Sequence, residues 1–286
     1  MTETRSKVVV VGAGTMGHGI AQAAAMAGHT VVLVDRTAEL VATGLGRIGQ
    51  NLDAGVERGK LTAQERPETL ARLDPETDLG AALARAAVVI EAVPERMDIK
   101  REVFRHLERY APEDAILATN TSSLSVTELQ EATSSPGRVL GLHFFNPVHI
   151  MKLVEVVRGR KTADGVLELA VAFARGLGKE PIVVRDSPGF ASSRLGIALG
   201  LEAMRMVEEG VADAEAIDKA MELGYRHPMG PLRLTDLVGL DVRLDIARYL
   251  HETLGQEHFR PPPLLERMVA EGRLGKKSGQ GFYRWD

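Results

Sequence analysis

Residues 8–35 read VVVVGAGTMGHGIAQAAAMAGHTVVLVD. Four consecutive β-branched residues, Val8–Val11, have the pattern of a buried strand. Gly12, Gly14 and Gly17 follow in G-x-G-x-x-G spacing, with Thr15 and Met16 inside the turn, and open an Ala-rich helical segment. A second apolar run then ends in an acid, Asp35. Each part has a physical job in gripping a dinucleotide. Gly12 permits the tight turn, Gly14 lets the backbone approach a pyrophosphate, and Gly17 lets helix and strand pack closely. Free N–H groups at the positive end of the helix then face the phosphates. A lone glycine motif is a weak signal. Here strand, glycines, helix, strand and acid fall in order within thirty residues.

Asp35 bears on which dinucleotide is expected. A carboxylate at the tip of the second strand accepts the free ribose hydroxyls of NAD and repels the 2′-phosphate of NADP. Arg36 could hold that phosphate. With Asp35 at the ribose position, stacking on adenine or plain solvation suits Arg36 better. NAD is the expected cofactor.

At 286 residues the chain is long enough for two domains with real cores. A charge of −4 gives no reason to expect nucleic acid or an anionic membrane as partner. The start, Met1–Lys7, is short and polar, so no signal peptide is expected, and no apolar run approaches a bilayer span. Zero cysteines exclude disulfides, thiolate catalysis and Cys-ligated metal, and no metal site is expected. Cytoplasm is the default location.

Short apolar runs recur at 7–11, 30–35, 87–93, 115–118, 138–145, 152–157 and 181–184, with helical stretches between them. That alternation predicts an α/β fold, a Rossmann-type doubly wound and mostly parallel sheet. Residues 39–83 show no strand-length apolar run. They read as an inserted helical arm carrying Arg47, Arg58 and Lys60, suited either to a charged, bulky substrate or to plain solvation. Composition changes at Asp186-Ser187-Pro188-Gly189. The expected division is a dinucleotide-binding domain at 1–187 and an all-helical domain at 188–286. Helices are expected at 192–210, 213–223, 231–254 and 263–272, the second capped by Asp213.

Three polar positions interrupt the strand pattern. The run Thr119-Asn120-Thr121-Ser122-Ser123 follows the fourth apolar run, at the edge where doubly wound sheets bind ligands. His143 sits near the end of the next run. Glu155 lies in Lys152-Leu153-Val154-Glu155-Val156-Val157, where a carboxylate between aliphatics is costly without a partner. His143 is the candidate partner. Beside a nicotinamide, such a pair suits alcohol oxidation. Imidazole takes the hydroxyl proton, and the carboxylate fixes its tautomer and stabilises the imidazolium. Ser122 or Asn120 would hold the substrate oxygen. The bland alternative is a buried pair that ties two strands together. His18, His29, His149 and His227 read as structural or solvated.

The blocks VVGAGTMGHGIAQ (10–22), VIEAVPERMDIKREVF (89–104), ATNTSSL (118–124), GLHFFNPVHIMKLVEVV (141–157), DSPGF (186–190), HPMGPLRLTDLVGLD (227–241) and GKKSGQGFY (275–283) come in the order found in the L-3-hydroxyacyl-CoA dehydrogenases. The chain resembles that family, which includes the 3-hydroxybutyryl-CoA dehydrogenases, over nearly its whole length. The resemblance implies His143 as general base with Glu155 as its partner. It implies Ser122 and Asn120 in contact with substrate and nicotinamide, and Glu95 and Lys100 along the NAD site. The arm with Arg58 and Lys60 would lie against the CoA moiety of an acyl-CoA substrate. A homodimer through the C-terminal helices is implied as well. One departure stands out. Where the family typically carries a substrate-binding Asn four residues after the Gly of PGF, this chain has Ser193, shorter and without the amide donor. Two other readings compete: a sugar-acid enzyme like L-gulonate dehydrogenase, and a catalytically silent crystallin-like nucleotide binder.

Overall fold

The computed structural model describes residues 6–285. They divide into two compact units that meet in sequence between Ser187 and Pro188.

The first unit holds eight strands: β1 (Lys7–Val11), β2 (Thr30–Val34), β3 (Leu73–Glu76), β4 (Val88–Glu91), β5 (Ile116–Thr119), β6 (Val139–Phe144), β7 (Leu153–Arg158) and β8 (Glu180–Arg185). They form one sheet in the order β3-β2-β1-β4-β5-β6-β7-β8. Pairing is parallel except between β6 and β7. Strand order reverses between β1 and β4, and such a switch point opens a crevice at the carboxyl ends of the strands. The helices are α1 (Gly17–Met26), α2 (Ala38–Glu57), α3 (Glu65–Leu70), α4 (Leu79–Leu83), α5 (Met97–Tyr110), α6 (Val126–Gln130) and α7 (Asp164–Gly176). Val8, Val9 and Val10 are fully buried, as a central strand covered on both faces requires. Alanines of α1 pack against this sheet, so helix and strand approach closely.

The expectation of an all-helical arm at 39–83 needs correction. Helices α2 and α3 are there, but β3 follows them and pairs with β2 in register, Val31 opposite Leu73 through Val34 opposite Glu76. Its sequence, LDPE, buries one apolar residue, so no apolar run announces it. As the sheet's edge it tolerates Pro75, which has no N–H to donate.

The second unit contains α8 (Ser192–Glu208), α9 (Ala214–Tyr225), α10 (Pro231–Val238), α11 (Leu240–Leu254) and α12 (Pro263–Ala270). Asp213 caps α9, its carboxylate accepting the Ala216 amide at 2.8 Å. The single helix expected over 231–254 is two helices. Gly239 stands between them at φ +107°, a conformation that side-chain-bearing residues avoid. Two buried carboxylates bind this unit's tail. Asp236 accepts the amides of Phe282 and Tyr283 and the Trp285 indole N–H, and Asp218 accepts the Tyr283 hydroxyl.

Candidate active site

The β1–α1 turn sits at the switch point. A Cβ on Gly12 would lie 2.6 Å from the Ala92 carbonyl oxygen just beyond β4, and one on Gly17 would overlap the Gly12 carbonyl at 1.7 Å. Both glycines are therefore demanded by packing. Gly14 is different, because a Cβ there would meet no protein atom within 4 Å. Its bareness is understood if another molecule approaches the backbone at this point. No side chain caps the start of α1, and the His18 imidazole N–H donates to the Gly14 carbonyl at 2.7 Å. Asp35 follows β2 directly. Its carboxylate accepts the Ala13 amide at 2.8 Å and the Arg36 amide at 2.7 Å. Each oxygen retains a lone pair, so the acid both fixes the glycine turn and can receive ribose hydroxyls. Turn, bare helix start and acid fit a dinucleotide.

A buried ion cluster supports the neighbouring loop. Glu91, at the end of β4, is fully buried and accepts from Lys100 Nζ, the Val93 amide and the Thr119 hydroxyl, each at 2.7 Å. Lys100 shares the buried face of α5 with Phe104 and Leu107, and its ammonium reaches Glu95 at 3.2 Å as well. Glu95 also accepts the Ser122 amide at 2.9 Å and the Thr121 hydroxyl. Desolvation raises the Glu95 carboxyl pKa. The Lys100 charge and those hydrogen bonds outweigh it and hold the group below its ordinary value. Lys100, expected along the NAD site, is thus hidden and acts on the crevice through Glu95. Thr119 belongs to the polar run read from the sequence, whereas Glu91 was not singled out there. An acid closing an apolar strand, nine residues before a lysine on an apolar helix face, was the available signal.

His143 and Glu155 stand directly opposite each other on β6 and β7, both buried, with Nδ1 2.7 Å from Oε2. An ionised carboxylate only accepts, so Nδ1 carries the proton and Nε2 is the basic nitrogen of the neutral ring. The Phe145 ring packs 4.4 Å from the imidazole. Asn120 Oδ1 accepts the Phe144 amide at 2.9 Å, which ties the 119–123 loop to the residue after His143. The half-buried Ser122 lies in that loop. Arg58 and Lys60 are exposed at the end of α2. Ser193 lies in the first turn of α8.

A dinucleotide crevice with a histidine–carboxylate pair at the carboxyl end of one of its strands defines a nucleotide-dependent oxidoreductase with its own acid–base group. The chain matches the family 3-hydroxyacyl-CoA dehydrogenase, NAD binding domain, over residues 7–187 and the C-terminal domain of the same family over 189–285. It belongs to the 3-hydroxyacyl-CoA dehydrogenase family. It is 46% identical to a probable 3-hydroxybutyryl-CoA dehydrogenase of Bacillus subtilis, covering 98% of this chain and 97% of the other. Over 97% of this chain it is 43% identical to a mitochondrial hydroxyacyl-coenzyme A dehydrogenase of Sus scrofa, of which 90% is covered. The crystal structure of (S)-3-hydroxybutyryl-CoA dehydrogenase from Ralstonia eutropha superposes with a TM-score of 0.94 at 40% identity, covering 99% of this chain and 100% of that one.

Proposed function

We propose that the chain interconverts L-3-hydroxyacyl-CoA and 3-ketoacyl-CoA, with NAD as redox partner and His143 as the group that moves the hydroxyl proton. The carrying observation is the His143–Glu155 pair at the carboxyl end of β6, tied through Asn120 to the Ser122 loop. In the oxidative direction Nε2 of His143 takes the proton of the C3 hydroxyl. Glu155 stabilises the imidazolium that results and keeps Nδ1 protonated throughout. Ser122 and Asn120 hold the substrate oxygen. NAD, when bound, supplies the acceptor for the hydride that leaves C3. Gly12, Gly14, Thr15, Met16 and Gly17 would hold its pyrophosphate, Asp35 its adenosine ribose, and Glu95 and Asn120 its nicotinamide half, with Lys100 positioning Glu95.

Family membership over both units favours this activity over a CoA-free sugar-acid reaction or a silent nucleotide binder. In the same proposal residues 1–187 serve NAD, while residues 188–286 serve substrate and dimerisation. Arg58 and Lys60 meet the CoA phosphates, and Ser193 contacts substrate. No described helix is long and apolar enough to cross a membrane, and a cytoplasmic enzyme fits that fact. The test is NADH titration of the apoprotein together with turnover of acetoacetyl-CoA. Tight NADH binding with reduction of acetoacetyl-CoA, and none of L-gulonate oxidation, is expected. NADH binding without turnover of either substrate would overturn the catalytic assignment.

A further inference from the structure

His143 and Glu155 lie on strands joined by a long connection. β6 ends at Phe144 and β7 begins at Leu153, whereas hairpin turns that fix register by themselves take about two to five residues. The side-chain pattern of β7 adds little. Leu153, Glu155 and Val157 share one face, Val154 and Val156 the other, and all three valines are fully buried. Register is specified by a pattern that differs between the two faces. With aliphatics on both, a shift of one residue costs little apolar burial, and it would turn Glu155 away from His143. Contacts from outside the two strands are left to hold the pair.

Lys179, at the corner between α7 and β8, grips the connection. It is 9% exposed, and its Nζ donates to the carbonyls of Val148 at 2.5 Å and Met151 at 2.9 Å. Its own amide donates to the Ala174 carbonyl of α7, and the next amide, that of Glu180, donates to the Lys152 carbonyl just before β7. Between the two gripped carbonyls the chain is closed into a turn, with the amides of Ile150 and Met151 both donating to the Pro147 carbonyl. On the far side Val148 is buried against α1. A Cβ on Gly19 would come within 3.0 Å of the Val148 side chain, so loop and helix meet where glycine leaves room. Among the described residues the Lys179 ammonium has these carbonyls as its only partners. Burial pulls its pKa below that of an ordinary lysine, with no anion working against the shift. A hidden charge without a counter-ion is a costly way to fasten a loop.

We propose that Lys179 is a positioning residue for the reaction: by fastening residues 147–151 it sets the register of β7 on β6 and so keeps Glu155 on His143. The proposal rests on the general-base role given to His143 in the proposed function. Losing the grip should part Glu155 from His143 and leave the dinucleotide crevice, built on β1, β2 and β4, as it is.

Lys179→Met keeps most of the stem and removes the ammonium. Proton NMR of the full chain reads the pair directly, because an imidazole Nδ1–H held by a carboxylate resonates far downfield. Its displacement in Glu155→Gln assigns the signal. In Lys179→Met the same signal should move upfield or broaden away. The kcat for acetoacetyl-CoA should fall roughly ten- to hundred-fold, the cost of misplacing a catalytic group by about 1 Å, with KM and NADH affinity within about three-fold of wild type. Should the Met variant not fold, Val148→Ala loosens the same segment from the α1 side and carries the comparison. A folded variant whose downfield signal and kcat match wild type overturns the proposal, even if its Tm falls. So does a loss of NADH affinity as large as the loss of kcat, which would assign Lys179 to the fold of the whole unit. If wild type shows the signal and does not reduce acetoacetyl-CoA, the proposed activity fails, and the NMR comparison still decides whether Lys179 holds the pair.

Discussion

His143 and Glu155 face each other across an antiparallel strand pair, and each explains why the other is tolerated inside the sheet. A general base is worth roughly 10²–10⁴ in rate, so His143→Ala should lower kcat by that factor while NADH affinity stays within a few-fold of wild type. Near-normal turnover would end the assignment. Glu155→Gln keeps the shape and loses the charge, so kcat should drop with it. A change confined to thermal stability would mean that the pair only ties strands together. At Asp35 the structure adds a consequence that the motif did not carry. Because the carboxylate also holds the Ala13 amide, Asp35→Ala removes a clamp on the glycine turn together with the ribose acceptor. NAD affinity should fall roughly ten- to hundred-fold, the worth of hydrogen bonds to a charged acceptor, and the preference over NADP should narrow. Fluorescence titration with both cofactors measures it. A wild-type preference for NADPH would hand the site to Arg36.

Between elements, the cluster of β4, α5 and the loop after β5 carries the larger energies. Lys100 is 1% exposed, with Glu91 as its fully buried partner. Glu91→Ala should therefore cost ~3–5 kcal/mol in urea unfolding, because a buried ammonium loses most of its compensation. Adding Lys100→Met should recover much of that loss, and strictly additive effects would show that the pair is not coupled. Glu95 brings a pH dependence. Its folded pKa lies below the ordinary 4.5, so its stabilisation is complete above that value and is lost as pH falls through the folded one. The Tm gap between wild type and Glu95→Gln should be level near neutrality and close below about pH 4.5. What the sequence made legible follows from the range of the forces involved. The strands Val8–Val11 and Val31–Val34 announce themselves because both faces are buried. The edge strand Leu73–Glu76 does not, because pairing with β2 rather than apolar content creates it. The His143–Glu155 pair could be inferred because a carboxylate in a strand demands a partner. Glu91 could not be inferred that way, because an acid at a strand end can equally face solvent. The break at Gly239 was hidden because a glycine inside an amphipathic run does not by itself decide between continuation and a stop.

For the whole molecule, the dimerisation proposed for the C-terminal unit has a candidate surface. Leu234, Leu237 and Val238 follow i, i+3, i+4 spacing along α10 and are about 40% exposed, while Leu195 on α8 is 71% exposed. Helices α8 and α10 pack on one another. Scattered apolar residues on a surface need no explanation, but a stripe on one helix with more on its neighbour is the kind of surface the proposed dimer would cover. Homodimer interfaces are the more apolar kind, and stable ones bury on the order of 1,600 Å². A second copy of this chain is therefore the expected occupant, as the family resemblance implies. Light scattering at micromolar concentration should give twice the mass of 30.9 kDa. The paired change Leu195→Asp and Leu234→Asp places charge in that stripe without touching the buried core beneath it. It should shift the equilibrium toward monomer by at least ten-fold while leaving the NADH affinity of the N-terminal unit near that of wild type. A wild type that is monomeric at these concentrations, or a variant that dimerises as well as wild type, would place the interface elsewhere or remove it.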